Sequence, residues 1–250
     1  MHNDGILFSQ GTRLVGQPNR SLRPGATTRV KLLVLVEGTN DIEFLRRLGH
    51  LLHQDDPRLP DLANMEFLGE LVFVPFGGGD VRAWSNRLAP LGLPELHLYD
   101  AELAPETASR IHSAAIVNQR PNCRAFVTTK RCLENYLAPA ALWDARGIHI
   151  QFGDHDDVAE LAARCCYEQW VTDVPWETLP GRARKRQRER AKRWLNTEGA
   201  DHMEAARLAE RDPLGEVRSW LRAAADLASI GGMLPGGIPE SCQPAGGLFT

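Results

Sequence analysis

The sequence predicts an α/β protein in which helices cover both faces of a parallel sheet, followed by a helical C-terminal extension. Three observations lead to this fold class. Short apolar runs alternate with amphipathic segments between residues 30 and 128, which is the pattern of parallel strands joined by crossover helices. From residue 153 onward the apolar spacing becomes helical. With 250 residues, 43% apolar and 24% charged, the chain has the composition of a globular protein rather than a disordered one.

The first strand and the first helix are predicted near the start of the α/β region. Residues 30–36, VKLLVLV, form a continuous apolar run, which is typical of a strand buried on both faces. Gly38 ends this run, and Asn40 followed by Glu43 has the spacing of a helix capping box. The apolar face of the helix is supplied by Phe44, Leu45, Leu48, Leu51 and Leu52.

Three further strands follow, each ended by a glycine, an acid or a polar loop. Their expected bounds are 71–76, 95–99 and 124–128, with helices over 80–88 and 105–118. Pro105 suits the first turn of its helix, because proline has no backbone N–H to lose there. The alternation of strand and helix therefore indicates crossover units of a parallel sheet.

The C-terminal extension is predicted from its helical periodicity. Val158, Leu161, Ala162 and Cys165 share one helix face, and Asp212 with Pro213 opens a last helix. The buried side of that helix is assigned to Leu214, Val217, Leu221, Ala224 and Ala228. The predicted segments are a flexible arm over 1–29, the α/β domain over 30–152, the helical extension over 153–228 and a flexible tail over 229–250.

The charge of the chain is unevenly distributed although its total is small. The 29 basic and 32 acidic residues give a formal charge of −3. Residues 182–193, RARKRQRERAKR, carry a net charge of +7 and residues 1–29 carry +3, so the rest of the chain carries −13. A basic segment attached to an acidic body suits a protein that binds phosphates and divalent cations. A solvated, charged helix face would have the same composition.

Several classes of protein are excluded by the sequence. No apolar run approaches the roughly 20 residues of a membrane helix, and the first residues, MHNDGILFSQGTR, do not have the pattern of a secretory signal. The five cysteines form no CxxC pair, which excludes a zinc ribbon and favours free thiols in a reducing compartment. There is no GxxxxGK phosphate loop for ATP. We therefore expect a cytoplasmic protein that binds no membrane.

Acidic residues follow three of the four predicted strands. Glu37 and Asp41 follow the first strand, Asp100 and Glu102 follow the third, and Glu134 lies a short loop beyond the fourth. Ligands of open parallel sheets bind at the carboxyl ends of the strands, and hard divalent cations prefer oxygen ligands. Each acid alone would be explained by a turn or a helix dipole. Together they predict a site for Mg²⁺ or Mn²⁺.

Short motifs around these acids, taken as a set, resemble the TOPRIM domain. They are VLVEGTND before an apolar helix, FGGG after the second strand and DAE after the third. The TOPRIM pattern has a Glu after the first strand and Asp-x-Asp after the third. Glu37 and Asp100 match this pattern, whereas Glu102 stands where the family usually has Asp.

A further motif resembles one branch of the TOPRIM proteins, the OLD (overcoming lysogenization defect) nucleases. RCLENYL, residues 131–137, is similar to the motif that carries an additional acid in that branch, and Glu134 would be that acid. Asp41, within EGTND, fits the same branch. The resemblance covers roughly residues 30–140.

The resemblance implies a TOPRIM, Rossmann-like fold and a metal-dependent endonuclease or nickase that acts on DNA. Two divalent cations roughly 3.5–4 Å apart would be shared by the five acids, and Glu37 would be a metal ligand or the general base. Lys130 or Arg131, just before the last acid, would neutralise charge that develops on the phosphate.

Two segments are predicted to contact DNA. The basic segment 182–193 is expected on a helix whose cations neutralise phosphates, and the glycines after the second strand would let the backbone approach a phosphate or a neighbouring loop. The residues assigned to these contacts are Arg184, Lys185, Arg188, Lys192, Gly78 and Gly79.

Other functions and partners remain open at this point. A non-catalytic nucleic-acid-binding or regulatory TOPRIM subunit is favoured by the unusual Glu102, and an RNA-processing nuclease is a further alternative. Many OLD proteins join an ATPase to the nuclease domain, whereas this sequence contains no phosphate loop for ATP. The protein is therefore expected to be free-standing, with a homo-oligomer as one option, or to be partnered by a separate ATPase protein.

Overall fold

A computed structural model describes residues 30–77, 80–170 and 173–233. Within them, four parallel strands form one sheet in the order β2-β1-β3-β4. The strands are β1 Leu32–Val36, β2 Leu71–Pro75, β3 Glu95–Tyr99 and β4 Cys123–Val127. These bounds lie within two residues of the predicted ones, and the predicted α/β class is confirmed.

The central position of β1 follows from its sequence. All five residues of LLVLV are buried, because β1 pairs with β2 on one side and with β3 on the other. Leu32 lies opposite Leu71 of β2, and Leu33 lies opposite Glu95 of β3. A strand that has neighbours on both edges and helices on both faces needs apolar residues at every position.

Helices cover both faces of the sheet. Within the described residues the α-helices are α1 Thr39–Asp55, α2 Leu62–Phe67, α3 Val81–Trp84, α4 Glu106–Asn118, α5 Pro139–Arg146, α6 Val158–Trp170, α7 Gly181–Trp194, α8 Ala205–Arg211 and α9 Glu216–Met233. The main core joins β1 and β3 to α1 and α9. A smaller core on the other face joins Tyr99 of β3 to residues of α3, α4 and β4.

The helix predicted over residues 80–88 is shorter in the structure. Asp80 caps α3, since its carboxylate accepts the backbone N–H of Arg82 at 3.1 Å, but the helix ends at Trp84. The carbonyl of Ser85 accepts a hydrogen bond from the Arg120 guanidinium at 2.7 Å instead of continuing the helix. Turns and a 3-10 helix, Ala89–Leu91, complete the connection to β3.

The start of the last helix also differs from the prediction. The Asp212 carboxylate accepts the backbone N–H groups of Glu216 and Val217, both at 2.9 Å, so Asp212 caps a helix that begins at Glu216. Leu214 lies in the turn before it and is 78% exposed, not buried as predicted. The other four assigned residues, Val217, Leu221, Ala224 and Ala228, are buried.

The predicted terminal segments fall largely outside the described residues. The arm over residues 1–29 lies outside them, as do residues 234–250 of the predicted tail. Residues 229–233 are helical, because α9 continues to Met233. No helix in the described part of the chain is long and apolar enough to cross a membrane.

Candidate metal centre

The sheet order brings the ends of β1 and β3 together. After β1 the chain turns to β2 on one side, and after β2 it crosses to β3 on the other side. Such a switch in direction leaves a crevice at the carboxyl ends of the two central strands. Glu37 follows β1, and Asp100 and Glu102 follow β3. Carboxylate oxygens of these three residues lie within 4.8 Å of one another.

Asp41 is held at the start of α1 by a capping interaction. Gly38 is the N-cap residue of α1, and its backbone N–H donates to the Asp41 carboxylate at 2.8 Å. The capping box predicted for Asn40 and Glu43 was therefore misplaced by two residues. Glu43 pairs with Arg46 and Arg47 instead. The cap orients Asp41 inward, where it is 3% exposed.

Glu102 reaches the cluster through an unusual backbone conformation. Its φ is +53°, a left-handed conformation that non-glycine residues adopt rarely and mainly at constrained sites. The Glu102 N–H donates to the carbonyl of Arg131 at 2.9 Å, and the N–H of Ala101 donates to the Thr128 hydroxyl at 2.9 Å. The loop after β3 is thus fixed to the loop after β4.

Glu134 enters the site from a 3-10 helix, Leu133–Tyr136. It is 1% exposed, and its Oε1 accepts a hydrogen bond from Asn196 Nδ2 at 2.6 Å. Asn135 anchors this helix, because its Nδ2 donates to the carbonyls of Gly153 and Asp156 at 2.9 and 3.1 Å. This 3-10 helix therefore holds one buried carboxylate at the site.

The electrostatics of the cluster are dominated by burial. Burial raises the pKa of Asp41 to about 7; Glu134 and Glu37 add to this effect and Lys192 opposes it. Burial also raises the pKa of Asp100 well above its ordinary value; Asp41, Glu134 and Glu37 add to this effect and Lys192 opposes it. Asp100 Oδ2 is buried without a hydrogen-bond partner among the described residues, which is costly unless a cation or proton satisfies it.

Three cations from separate elements border the acids. Lys192 Nζ lies 3.9 Å from Glu134 Oε1, and Glu134, Asp100 and Asp41 raise the pKa of this lysine. Arg110 of α4 lies 3.5 Å from Glu37, and Arg131 lies 3.6 Å from Glu102. Five carboxylates thus face three cations, which leaves two negative charges when all the acids are ionised. This imbalance suits a divalent cation.

Lys130, one of the two residues predicted to neutralise charge on the phosphate, pairs with a residue outside the carboxylate cluster. Its buried ammonium pairs with Asp154 and lies 5.4 Å from the ring centroid of Tyr136, and it forms no ion pair with any of the five acids. Arg131, the other residue considered, contacts both Glu102 and Asp157. The cation beside the acids at this loop is therefore Arg131.

The residues assigned to DNA contacts on α7 have different surroundings. Lys192 lies in the acidic cluster, and Arg188 pairs with Asp157 at 2.8 Å. Arg184 has a buried Nε without a partner among the described residues, and Lys185 is exposed. Gly78 and Gly79 lie outside the described residues.

Sequence reasoning missed two residues of the site, Asn196 and Arg110. Asn196 lies four residues after Lys192, and residues at this spacing share one side of a helix. This spacing could have indicated that both residues face the same acids. Arg110 lies on α4, and the residues next to it in the sequence do not indicate that it is buried. It is only 8% exposed, and α4 packs against β3 and β4.

Comparison with known proteins gives a remote structural similarity. No family model and no curated protein matches the sequence. Solved structures of the C-terminal region of the Xanthomonas campestris pv. campestris OLD protein are similar in fold. One is 14% identical, covers 80% of this chain and 97% of that chain, and has a TM-score of 0.45. Another is 15% identical with the same coverage and a TM-score of 0.48.

Proposed function

We propose that the protein is a divalent-metal-dependent nuclease that cleaves DNA at the carboxylate cluster. The observation that carries this proposal is the convergence of Glu37, Asp100 and Glu102, whose ligand atoms lie within 4.8 Å of one another. They lie at the switch point of a parallel sheet, where ligands of this fold bind. The resemblance of the surrounding motifs to TOPRIM nucleases supports the same chemistry.

The residues present fit Mg²⁺ or Mn²⁺. All the candidate ligands are carboxylates, which hard cations prefer, and the unpaired Oδ2 of Asp100 is an acceptor without a donor. Glu37, Asp100 and Glu102 would hold the ion directly, with Asp41 and Glu134 behind them. When bound, such an ion supplies Lewis-acid chemistry and lowers the pKa of water.

The protein's own groups have separable tasks in this proposal. Glu37 and Glu102 are partly exposed whereas Asp41, Asp100 and Glu134 are buried, so a phosphate would reach the cluster at the two exposed acids. Glu37, held by Arg110, would bind the metal or accept a proton from the attacking water. Arg131, beside Glu102, would neutralise negative charge that develops on the phosphate. Of the two residues predicted for this role, Arg131 contacts one of the five acids and Lys130 pairs with Asp154.

A second candidate is a non-catalytic nucleic-acid-binding subunit. The observation that favours it is Lys192, whose ammonium already lies among the buried carboxylates and offsets part of their charge without a metal. In that case the acids would stabilise the fold rather than hydrolyse a substrate.

Cleavage assays separate the two candidates. Purified protein is incubated with supercoiled plasmid or with RNA, in the presence of Mg²⁺, Mn²⁺ or EDTA. We expect nicked or linear plasmid with the metals and none with EDTA. Glu37→Gln should reduce the rate by at least ~10²-fold, the lower range for loss of a general base, and should leave DNA binding in EDTA unchanged.

Glu106→Gln is the matched control, because Glu106 is an exposed acid at the start of α4 outside the cluster. It should cut at the wild-type rate. A wild-type protein that binds plasmid but never cuts it would favour the non-catalytic subunit. Faster cleavage of RNA than of DNA would favour an RNA-processing nuclease, and wild-type activity of Glu37→Gln would contradict the assigned site.

A further inference from the structure

Seven of the eight basic residues of α7 form two rows on different sides of the helix, and the exposed Lys185 lies between the rows. At 3.6 residues per turn, Arg182, Arg186, Arg190 and Arg193 fall within an arc of about 80°. We call these four residues the outer row. The inner row consists of Arg184, Arg188 and Lys192 and is spaced at four-residue intervals on another side.

Two residues of the inner row form ion pairs within the protein. Lys192 contacts Glu134 at 3.9 Å, and Arg188 contacts Asp157 at 2.8 Å. Arg184 is partly buried and its Nε is inaccessible. Lys192 and Arg188 are therefore neutralised by acids of the protein, although Arg188 remains about half exposed, and Arg184 is partly buried.

The outer row is exposed along its whole length. None of its four guanidinium groups forms an ion pair or a side-chain hydrogen bond with another described residue, whereas most other arginines of the described chain do. The one acid on the same side is the exposed Glu189. Four unpaired positive charges spread over about 17 Å of helix repel one another, and they lie on a protein whose overall charge is −3.

We propose that the outer row binds the phosphate backbone of duplex DNA. Guanidinium groups match phosphate oxygens in geometry as well as charge, and a duplex presents one negative charge per about 1.7 Å of its axis. The row contains no aromatic residue, and the nearby Trp194 is buried. The exposed Trp170 borders α7 at Gln187, on another side of the helix. The row itself therefore has no ring on which unpaired bases could stack, which favours a duplex over a single strand.

The position of α7 connects this surface to the carboxylate cluster. Lys192 on the same helix contacts Glu134 at 3.9 Å, so the helix that carries the outer row also borders the carboxylate cluster. The choice of DNA as ligand rests on the proposed function; the location of the surface rests on the exposure and pairing of the arginines.

The salt dependence of DNA binding tests the proposal. Binding of a labelled duplex of about 30 base pairs is measured by fluorescence anisotropy in EDTA, between about 50 and 200 mM salt. The variant carries Arg182→Gln, Arg186→Gln, Arg190→Gln and Arg193→Gln. Each lost phosphate contact should reduce the slope of log affinity against log salt by about 0.9. We expect the slope to flatten by about two to four units.

A control variant removes the same charge elsewhere. Arg58, Arg87, Arg124 and Arg222 are exposed and lie outside α7; their replacement by Gln should leave the slope within one unit of wild type. Equal effects of the two variants, or an unchanged slope for the outer-row variant, would overturn the proposal. An RNA duplex bound more tightly than DNA, with the same dependence on the outer row, would overturn DNA as the ligand. The binding assay contains EDTA, so it does not depend on cleavage. If the outer-row variant changes the salt slope but the wild-type protein never cuts DNA, the DNA-binding surface stands and the nuclease assignment fails.

Discussion

Asp41 is the carboxylate whose protonation links the site to stability. Burial raises its pKa from 3.8 to about 7, so the folded protein binds this proton more tightly than the unfolded chain does. The resulting stabilisation is fully present below about pH 4 and is lost as the pH rises through about 7. A metal ion would replace the proton, and the two therefore compete.

We expect the stabilisation by Mg²⁺ to be larger at pH 8 than at pH 6, because a carboxylate must lose its proton to bind a metal. Asp41→Asn keeps an oxygen that can accept the Gly38 N–H but removes the charge. It should raise the Tm of the metal-free protein at pH 8 by ~2–4 °C, equivalent to about 1 kcal/mol for a chain of this size. It should also weaken the response to Mg²⁺. Thermal denaturation in Mg²⁺ and in EDTA at both pH values measures these effects, and an equal Mg²⁺ shift of the wild type at pH 6 and pH 8 would contradict this role of Asp41.

Individual residues also show how the site is kept in one arrangement. Glu102 adopts a φ of +53°, and its N–H is bound by the Arg131 carbonyl at 2.9 Å. Arg131 in turn contacts Asp157, which also binds Arg188 of α7. Glu102 is therefore connected through two ion pairs to the helix that carries the basic residues.

At the scale of the elements, α9 is held against the sheet by a close approach at Gly231. A Cβ atom at this position would lie 2.0 Å from the backbone carbonyl oxygen of Lys31, at the start of β1. Backbone cannot rotate away as a flexible side chain can, so any larger residue must displace the helix. Because α9 shares the main core with β1 and β3, a displaced helix would disturb that core.

Gly231→Ala should therefore destabilise the protein by about 1–3 kcal/mol or more, the usual cost of overpacking. Gly232→Ala is the matched control, because its nearest contacts are the flexible Lys31 side-chain carbons at 3.9 Å. It should be neutral or stabilising by up to ~1 kcal/mol, since alanine is the better helix former. Urea denaturation of both variants measures the difference, and equal stability of the two would show that α9 does not make this contact.

A second feature at this scale is a buried polar chain along β3. Glu95 and Tyr99 each lie 2.8 Å from a different ring nitrogen of His97, and Arg120 pairs with Glu95. The three β3 residues alternate with Leu96 and Leu98, so they share the face opposite the main core. Burial lowers the pKa of His97; a neutral ring can donate to Glu95 and accept from the Tyr99 hydroxyl. The chain satisfies groups that would otherwise be costly to bury.

At the scale of the whole molecule, the charged side chains discussed above form two groups, the acidic cluster with the inner row and the outer row, and both groups include residues of α7. The acids at the strand ends face the inner row, and the outer row faces away from them. These groups share no ion pair among the described residues. Their contributions to metal binding and DNA binding should consequently be independent, as is usual for sites without shared partners.

The outer-row variant should therefore retain the wild-type increase in Tm with Mg²⁺, which follows from mass action on the folded state. Conversely, Asp100→Asn should lose that increase but bind DNA in EDTA with the wild-type salt slope. Thermal denaturation and anisotropy on the same preparations test both statements. Loss of the Mg²⁺ response in the outer-row variant would show that the two groups are coupled.

The sequence by itself determined the strands, their parallel arrangement and the acids at their ends. The strands could be predicted because β1, β2, β3 and β4 are short apolar runs bounded by glycine or polar residues, a local signal. Parallel strands place all their carboxyl ends at one edge, so chain order placed Glu37 and Asp100 at the same edge, whereas the strand order of the folded sheet made β1 and β3 neighbours.

Only the tertiary structure decided which basic residues of α7 face inward. Residues 182–193 are charged around the whole helix, and their two alanines are too few to mark a buried face. The inward side is set by Asp157 and Glu134, which lie far away in sequence. Arg184, Arg188 and Lys192 were therefore assigned to DNA, whereas the exposed and unpaired arginines are those of the outer row. The ion-pair partners of Lys130 and Arg110 were beyond prediction for the same reason: long-range pairing leaves no local pattern.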